Sequence, residues 1–223
     1  CHQLGIGTDF VFRSAERATD RYLAIEDATG LVAAIADAQT LEAAGARILA
    51  PLADGRLGTA AAPWAGLVAL DGNLTAALLA EIATSPLLAA ADVRVAPASP
   101  GKVERLQPIL QHPRVTLYAN LAEAALLCGA TLPNAPAAAE ALLQRGARRV
   151  VITDGGRDCA DGKAGEGVVV DRPEPVRVNR VTGAGDTFMS AHIVAERSGA
   201  SRADALAAAH RAAGAYVAGE IGT

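Results

Sequence analysis

The sequence has few aromatic residues, only 3% of its 223 residues, and it has only three cysteines. Hydrophobic residues nevertheless make up 51% and charged residues 20%, so the chain can bury a sizeable core and is not expected to be disordered. Because aromatic side chains are scarce, alanine and leucine must fill that core. The composition therefore favours alanine-rich helices packed on a β-sheet.

Other shortages exclude classes of partner. The formal net charge is −4, without the excess of lysine and arginine that binds phosphate backbones, so no nucleic-acid partner is expected. No apolar run approaches the roughly 20 residues of a membrane span, so no membrane partner is expected either. Cys1, Cys128 and Cys159 show no metal or disulfide spacing, which fits a reducing compartment, and we predict a cytoplasmic protein.

The stretch Thr182–Thr187, which reads T-G-A-G-D-T, carries the clearest chemical signal. Its glycines allow a close backbone approach, so successive amides can converge on an anion at the start of a helix: those of Gly183, Ala184 and Gly185. Asp186 follows where the turn becomes helix. It is either an ordinary carboxylate at a helix N-terminus or a base that accepts a proton during phosphoryl transfer.

Two other phosphate-binding loops fit the sequence poorly. A dinucleotide fingerprint requires a third glycine at the position of Phe188. A Walker A loop requires serine or threonine after Gly-Lys, but Ala164 follows Gly162 and Lys163. An ordinary glycine turn followed by an aspartate remains the alternative to phosphate handling.

The segment Thr182-Gly183-Ala184-Gly185-Asp186 resembles the T-G-A-G-D signature of the PfkB/ribokinase carbohydrate and nucleoside kinases, with the same following residues and the same place near the C-terminus. The resemblance implies ATP and Mg²⁺ as cofactors and a small-molecule sugar or nucleoside as partner. It also implies Asp186 as the catalytic base, the backbone of 183–185 as the anion hole and Thr182 on the nucleotide side. The family often has an aspartate shortly before the motif, where Asn179 and Arg180 stand here.

Residues 1–37 are predicted to form a β-lid preceded by the end of a helix. Arg21–Ile25 and Leu31–Ile35 read as strands around a turn at Asp27–Gly30, and from pattern alone a plain edge meander is slightly favoured. The resemblance implies a lid over the sugar pocket, through which a homodimer can form. The run from Tyr22 to Asp37 is most similar to the pseudouridine kinase branch, which implies transfer to the ribose 5′-hydroxyl of pseudouridine.

Residues 38–223 alternate between strands and helices, which predicts a mostly parallel sheet covered on both faces, an α/β fold. The resemblance makes this a ribokinase-like kinase core. We also predict helices at 39–48 and about 102–110, and a hairpin-like region that contains Asp161 and Gly162. Ligands bind at the carboxyl ends of parallel strands, so the informative residues should follow strands.

Asn120 and Glu123 follow one predicted strand, and Thr153 and Gly155 follow another. Asn120 and Glu123 have the spacing of a helix capping box. The resemblance implies in addition that Glu123 orders Mg²⁺, that Asn120 reaches the nucleotide phosphates and that the loop from Thr153 holds ATP. His210 is either structural or, by the resemblance, on the adenine side.

The sequence begins with Cys1, and the following residues 2–5 resemble the end of a helix. The N-terminal β-α-β portion of the family, which holds the hydroxyls of the substrate, has no counterpart in this sequence. We therefore expect an N-terminal portion to precede it. Two alternatives to a pseudouridine kinase stay open: a kinase for ribose, a hexose phosphate or another nucleoside, and a catalytically inactive nucleotide-binding remnant.

Overall fold

The structure, a computed structural model, describes residues 1–27 and 30–221 and contains a large and a small sheet. The small sheet is an antiparallel hairpin of β1 (Tyr22–Asp27) and β2 (Gly30–Ala36). The large sheet has six strands in chain order: β3 (Leu67–Asp71), β4 (Asp92–Ala96), β5 (Val115–Asn120), β6 (Arg149–Thr153), β7 (Cys159–Lys163) and β8 (Gly167–Asp171). Strands β3 to β6 are parallel, whereas β7 and β8 each pair antiparallel.

The α-helices are α1 (Gln39–Ala44), α2 (Ala50–Ala53), α3 (Ala76–Thr84), α4 (Leu121–Cys128), α5 (Ala135–Gln144), α6 (Ala184–Arg197) and α7 (Arg202–Val217). The strands alternate between two faces. On β5, Leu117 and Ala119 join the large apolar core with α3, α4 and α5, whereas Tyr118 joins a smaller cluster with α6 and α7. The predicted α/β fold, a mostly parallel sheet with helices on both faces and a small antiparallel lid sheet, is confirmed. Among the described residues, no helix has the length and apolar character needed to cross a membrane.

Two predicted helices differ in the structure. The helix predicted at 39–48 ends as α-helix at Ala44, because Gly45 adopts φ 52° and a 3₁₀ segment, Gly45–Leu49, follows. The helix predicted at about 102–110 is instead two 3₁₀ segments, Pro100–Leu106 and Ile109–Gln111. Pro108 stands between these two segments and has no N–H with which to continue a helix.

The predicted hairpin-like region is the hairpin of β7 and β8, which turns at residues 164–166 and contains Asp161 and Gly162 inside β7. Asp161 is fully buried there and forms ion pairs with two arginines. Gly162 is needed because α5 passes close to the strand: an added Cβ would lie 3.1 Å from the Ala139 Cβ and 3.1 Å from the Leu143 Cδ1. A residue pair that looks like a turn in sequence is therefore a packing site.

The lid hairpin stands apart from both cores. Its strands match the predicted ones in position, and the turn predicted at Asp27–Gly30 includes residues 28–29, which lie outside the described residues. Tyr22, Leu23, Ile35 and other large apolar side chains of the hairpin are exposed. The division of the chain at residue 37 stays a prediction.

Candidate active site

The glycine loop leads directly into α6. Gly183 is the N-cap residue, with φ 90° in the left-handed region that a residue with a side chain rarely adopts. The turn is held by Thr187, whose N–H and Oγ1 both donate to the Gly183 carbonyl, at 2.9 and 2.8 Å. The first amides of a helix have no partners within it, so the start of α6 can receive an anion.

Asp186 lies in the first turn of α6, and its side chain is exposed. It is not the helix cap, because that position belongs to Gly183, which provides no side-chain cap. Within residues 1–27 and 30–221, the carboxylate of Asp186 has neither a hydrogen bond nor an ion pair. An exposed carboxylate in the first turn of a helix is available to a ligand. Asp186 still lies in the first turn of α6, where a carboxylate interacts favourably with the helix dipole, so both interpretations of Asp186 stay open.

The amide of Ala184 has a partner. Its N–H donates to the Val181 carbonyl at 3.0 Å, which closes the turn before α6. This bond competes with the predicted part of Ala184 in the anion hole. Gly185 follows at the second helical position, where helix geometry provides no acceptor.

Asn120 and Glu123 form a complete capping box at the start of α4. The Asn120 Oδ1 accepts from the Glu123 N–H at 2.9 Å, and the Glu123 Oε2 accepts from the Asn120 N–H at 2.9 Å. The side chain of Glu123 is buried, and burial raises the pKa of its carboxyl above the usual value, which the hydrogen bond from Asn120 opposes. The two side chains are therefore fixed in place by the same bonds.

Glu123 also fits a magnesium ion. It has no cationic partner among the ion pairs of the described residues, so a bound cation would offset the cost of its buried charge. No group of three or more histidine, cysteine, aspartate or glutamate residues in the described part of the chain is arranged to hold a metal. Mg²⁺ keeps several waters and needs only one or two carboxylates from a protein, which this site satisfies.

Thr153 lies beside Asn120, since the two residues are register partners at the carboxyl ends of the parallel strands β5 and β6. The loop that follows Thr153 turns at Gly155, where φ is 60°. Asp154 closes this loop through an ion pair with Arg157 at 2.7 Å. The structure thus brings together the predicted residues of the β5 and β6 loops.

Asp158, which stands in place of the last glycine of the family loop, is held by Arg172 at 2.5 Å. His210 is half-buried in α7, where its Nδ1 lies 2.6 Å from the Asp171 Oδ2. Its ring meets the ring of Phe188 edge-on, with centroids 5.4 Å apart. These contacts give His210 structural partners, and its predicted place beside an adenine stays a prediction.

Two residues that fix the backbone of the glycine loop, Arg180 and Tyr216, were not identified from the sequence. Tyr216 of α7 donates its hydroxyl hydrogen to the Thr182 carbonyl at 2.8 Å, and the Arg180 guanidinium lies 3.8 Å from the centre of the Tyr216 ring. The available signal was a single tyrosine within the alanine-rich run of α7. The pairing itself joins positions 36 residues apart and has no local pattern.

Comparison with solved structures finds kinases of similar fold. A carbohydrate kinase from Agrobacterium tumefaciens is 25% identical, with a TM-score of 0.69, and the match covers 90% of this chain and 62% of that protein. Arabidopsis thaliana ribokinase, solved with ribose and ATP, is 22% identical with a TM-score of 0.55, over 70% of this chain and 50% of that protein. Adenosine kinase from Sinorhizobium meliloti is 21% identical with a TM-score of 0.56, over 68% and 48%.

The chain spans less than two thirds of the length of these structural relatives. Among curated proteins no match was found. The family model of the pfkB family carbohydrate kinases matches residues 1–222, nearly the whole chain. The chain therefore belongs to the pfkB family of carbohydrate kinases.

Proposed function

We propose that this protein transfers the γ-phosphoryl group of ATP to an alcohol of a sugar or nucleoside. The observation that carries the proposal is the exposed carboxylate of Asp186 at the start of α6, which has no partner in the described part of the chain and follows the left-handed turn at Gly183. Membership of the pfkB family and the likeness to a ribokinase solved with ribose and ATP support the same reaction class.

In the proposed reaction, Asp186 accepts the proton of the attacking hydroxyl as its oxygen forms a bond to the γ-phosphorus. The bond between that phosphorus and the bridging oxygen of ADP breaks at the same time, and ADP leaves with the bonding electrons. The amides of Gly183 and Gly185 and the positive end of the α6 dipole stabilise the negative charge of the transferred group. Proton acceptor and anion site thus lie on one helix turn.

The β5 and β6 loops are proposed to hold the nucleotide. Asn120 would donate its side-chain amide to a phosphate oxygen, and the loop from Thr153 through Gly155 would receive the ribose and phosphates. Thr182 precedes the anion hole on the same side. Glu123 would order Mg²⁺ through its water shell, and the ion, when bound, neutralises phosphate charge. The two hydrogen bonds of the capping box already fix the position of the Glu123 side chain.

For the acceptor, we propose the ribose 5′-hydroxyl of pseudouridine. The support is the run from Tyr22 to Asp37, which resembles the pseudouridine kinase branch and forms the lid hairpin. Ribose, a hexose phosphate or another nucleoside is the alternative acceptor. A homodimer through the lid is part of the proposal, since the hairpin exposes Tyr22, Leu23, Ile25, Val32 and Ile35. A cytoplasmic location is proposed from the three free cysteines.

The test compares wild type with Asp186→Asn in an ATP-consumption assay, with pseudouridine, ribose, adenosine and fructose 6-phosphate as separate acceptors. We expect turnover with pseudouridine alone, and a loss of about 10²- to 10⁴-fold in kcat for Asp186→Asn, as for removal of a general base. ATP binding, measured by calorimetry, should be largely kept.

Asp204→Asn is the matched control, because Asp204 is an exposed aspartate in the first turn of α7. This control should keep wild-type turnover. Equal loss of binding and turnover in Asp186→Asn would contradict its role as the base. ATP binding by wild type without product from any acceptor would leave a nucleotide-binding protein and refute the kinase.

A further inference from the structure

The segment before the glycine loop is tied to the carboxyl end of α7. The backbone N–H groups of Asn179 and Arg180 donate to the Val217 carbonyl at 2.7 and 3.2 Å, and the Asn179 side-chain amide donates to the Ala218 carbonyl at 2.6 Å. The last carbonyls of a helix have no donors within it. The approach to the glycine loop therefore supplies the cap of α7.

Arg180 strengthens this connection with its side chain. Its Nε donates to the Tyr216 carbonyl at 2.8 Å, and its Nη2 donates to the Ile221 carbonyl. Its guanidinium also lies 3.8 Å from the centroid of the Tyr216 ring, within cation–π distance. A cation is favoured at this place, because the carboxyl end of a helix carries partial negative charge. Arg180 thus binds Tyr216 through both backbone and ring.

Tyr216 in turn contacts the loop at the residue where the chain enters α6. Its hydroxyl donates to the Thr182 carbonyl at 2.8 Å. A Cβ added at Gly183 would lie 2.5 Å from the Tyr216 Oη, so the hydroxyl packs directly against the glycine. The backbone from Thr182 to Gly183 is consequently held on one side by Tyr216, immediately before Asp186.

We propose that Tyr216, fixed by Arg180, is a positioning residue for phosphoryl transfer. It would hold the backbone at Thr182 and Gly183 so that the amides of the loop and the carboxylate of Asp186 keep one geometry. Donors that are fixed before the reaction stabilise developing charge best, and small displacements of reacting groups are costly. The inference rests on the proposed function and adds two residues that do not touch the reacting atoms.

Tyr216→Phe tests the proposal, because it removes the hydroxyl and keeps the ring over which Arg180 lies. We expect kcat to fall about tenfold, equivalent to about 1.4 kcal/mol and within the range of one hydrogen bond. The KM for ATP should change less than about twofold, since ground-state binding is not affected. Arg180→Lys should behave like Tyr216→Phe, because a single ammonium cannot reproduce the bonds of the guanidinium fork. Arg197→Ala, at an exposed arginine of α6, is the control and should match wild type.

A second measurement separates this inference from the proposed function. Amide hydrogen exchange of the peptide spanning residues 179–186 should be faster in Tyr216→Phe, with the rest of the chain unchanged. If wild type turns over, an unchanged kcat in Tyr216→Phe overturns the inference. If wild type shows no turnover, the proposed function fails, and the exchange alone decides: local acceleration supports positioning, whereas no change or acceleration throughout the chain overturns it.

Discussion

The two faces of the large sheet are built from different chemistry. On the face that α3, α4 and α5 cover, buried leucine, isoleucine, valine and alanine form one continuous core. On the face that α6 and α7 cover, the apolar cluster is small and a chain of charges lies beside it. That chain alternates in sign through six side chains: Asp92, Arg94, Glu196, Arg149, Asp161 and Arg202. An apolar face and a charged face therefore share one sheet.

The two faces differ in how strictly they orient the helices that pack on them. Apolar contact is not directional, so the chemistry of the apolar face does not by itself select one orientation of a helix. Ion pairs at short distances fix direction: Glu196 of α6 contacts Arg94 of β4 and Arg149 of β6, each at 2.6 Å. Because α6 also begins at the glycine loop, the charged face fixes the helix that carries Asp186. The apolar face supplies most of the buried area, and the charged face supplies the orientation of α6.

Of the variants that compare the two faces, Asp161→Ala should lose the most stability. Asp161 is fully buried between Arg149 and Arg202, so its removal leaves two guanidinium groups without their shared carboxylate. We expect a loss of about 3–5 kcal/mol in the free energy of unfolding, as for breaking a buried pair. Urea denaturation of the variant against wild type measures it.

Two further variants serve as comparisons for Asp161→Ala, one on the apolar face and one at an exposed ion pair. Leu79→Ala, at a fully buried residue of the apolar face, should lose about 2–5 kcal/mol through the cavity it leaves. Asp158→Ala breaks an exposed pair with Arg172 and should leave stability unchanged. A loss below about 1 kcal/mol for Asp161→Ala would mean that water replaces the carboxylate, and that the charged face does not hold the sheet.

The stability of the protein should also depend on pH, because His192 is buried on the charged face. Its Nδ1 lies 2.9 Å from the Tyr118 hydroxyl, and burial lowers the pKa of the imidazole from 6.5 to about 4. Between pH 6.5 and about pH 4, His192 is therefore protonated in the unfolded chain and neutral in the folded chain. The contribution of neutral His192 to the free energy of unfolding is fully present above pH 6.5. It is lost as the pH falls toward 4, by about 3 kcal/mol for a pKa shift of this size.

Unfolding measured at pH 7 and pH 4.5 tests this, with His192→Gln as the variant. The variant should lose less stability than wild type over that interval. Burial also lowers the pKa of His112, so part of the acid sensitivity should remain in the variant. Burial opposes the charged form of Asp161 and Glu196, but hydrogen bonds and charges of their arginines lower the pKa of both carboxyls overall, so their contribution to stability is lost as the pH falls through and below the ordinary carboxyl range. Identical losses of stability between pH 7 and pH 4.5 in the variant and in wild type would show that His192 does not cause the acid sensitivity.

The apolar face could be predicted from the sequence, and the charged face could not. Strand β6 shows its buried run directly, and Thr75 and Asn120 mark helix starts by local spacing. In contrast, Arg94 and Arg149 look like exposed charges within strands, and Arg94 meets Glu196 across 102 residues of sequence. No local rule predicts such a pair, because it depends on how α6 packs on the sheet.

The same division applies to the candidate site. The glycine loop, Asp186, and the Asn120–Glu123 pair follow from motifs whose spacing acts over a few residues. Tyr216 and Arg180 do not, since their contact requires α7 to return to the loop from the far end of the chain. Sequence therefore predicts the groups that would touch a ligand better than the groups that hold them.

Among the variants that should lose stability, the smallest loss is expected at the helix caps, which compare the two faces without disturbing either. Thr75 caps α3 on the apolar face, with its Oγ1 accepting from the Leu78 N–H at 3.2 Å. Ser201 caps α7 on the charged face: its Oγ accepts from the Asp204 N–H at 3.2 Å and also donates to the Asp204 Oδ2 at 2.7 Å. Thr75→Ala and Ser201→Ala should each lose about 1 kcal/mol in urea denaturation, because a cap is a local bond. Ser201 directly precedes Arg202 of the charged chain, so a loss in Ser201→Ala that exceeds both the cap and its hydrogen bond to Asp204 would mean that the cap and the ion pair with Asp161 form together. In that case the charged face would behave as one cooperative unit, whereas equal losses mean that its ion pairs do not depend on how α7 begins.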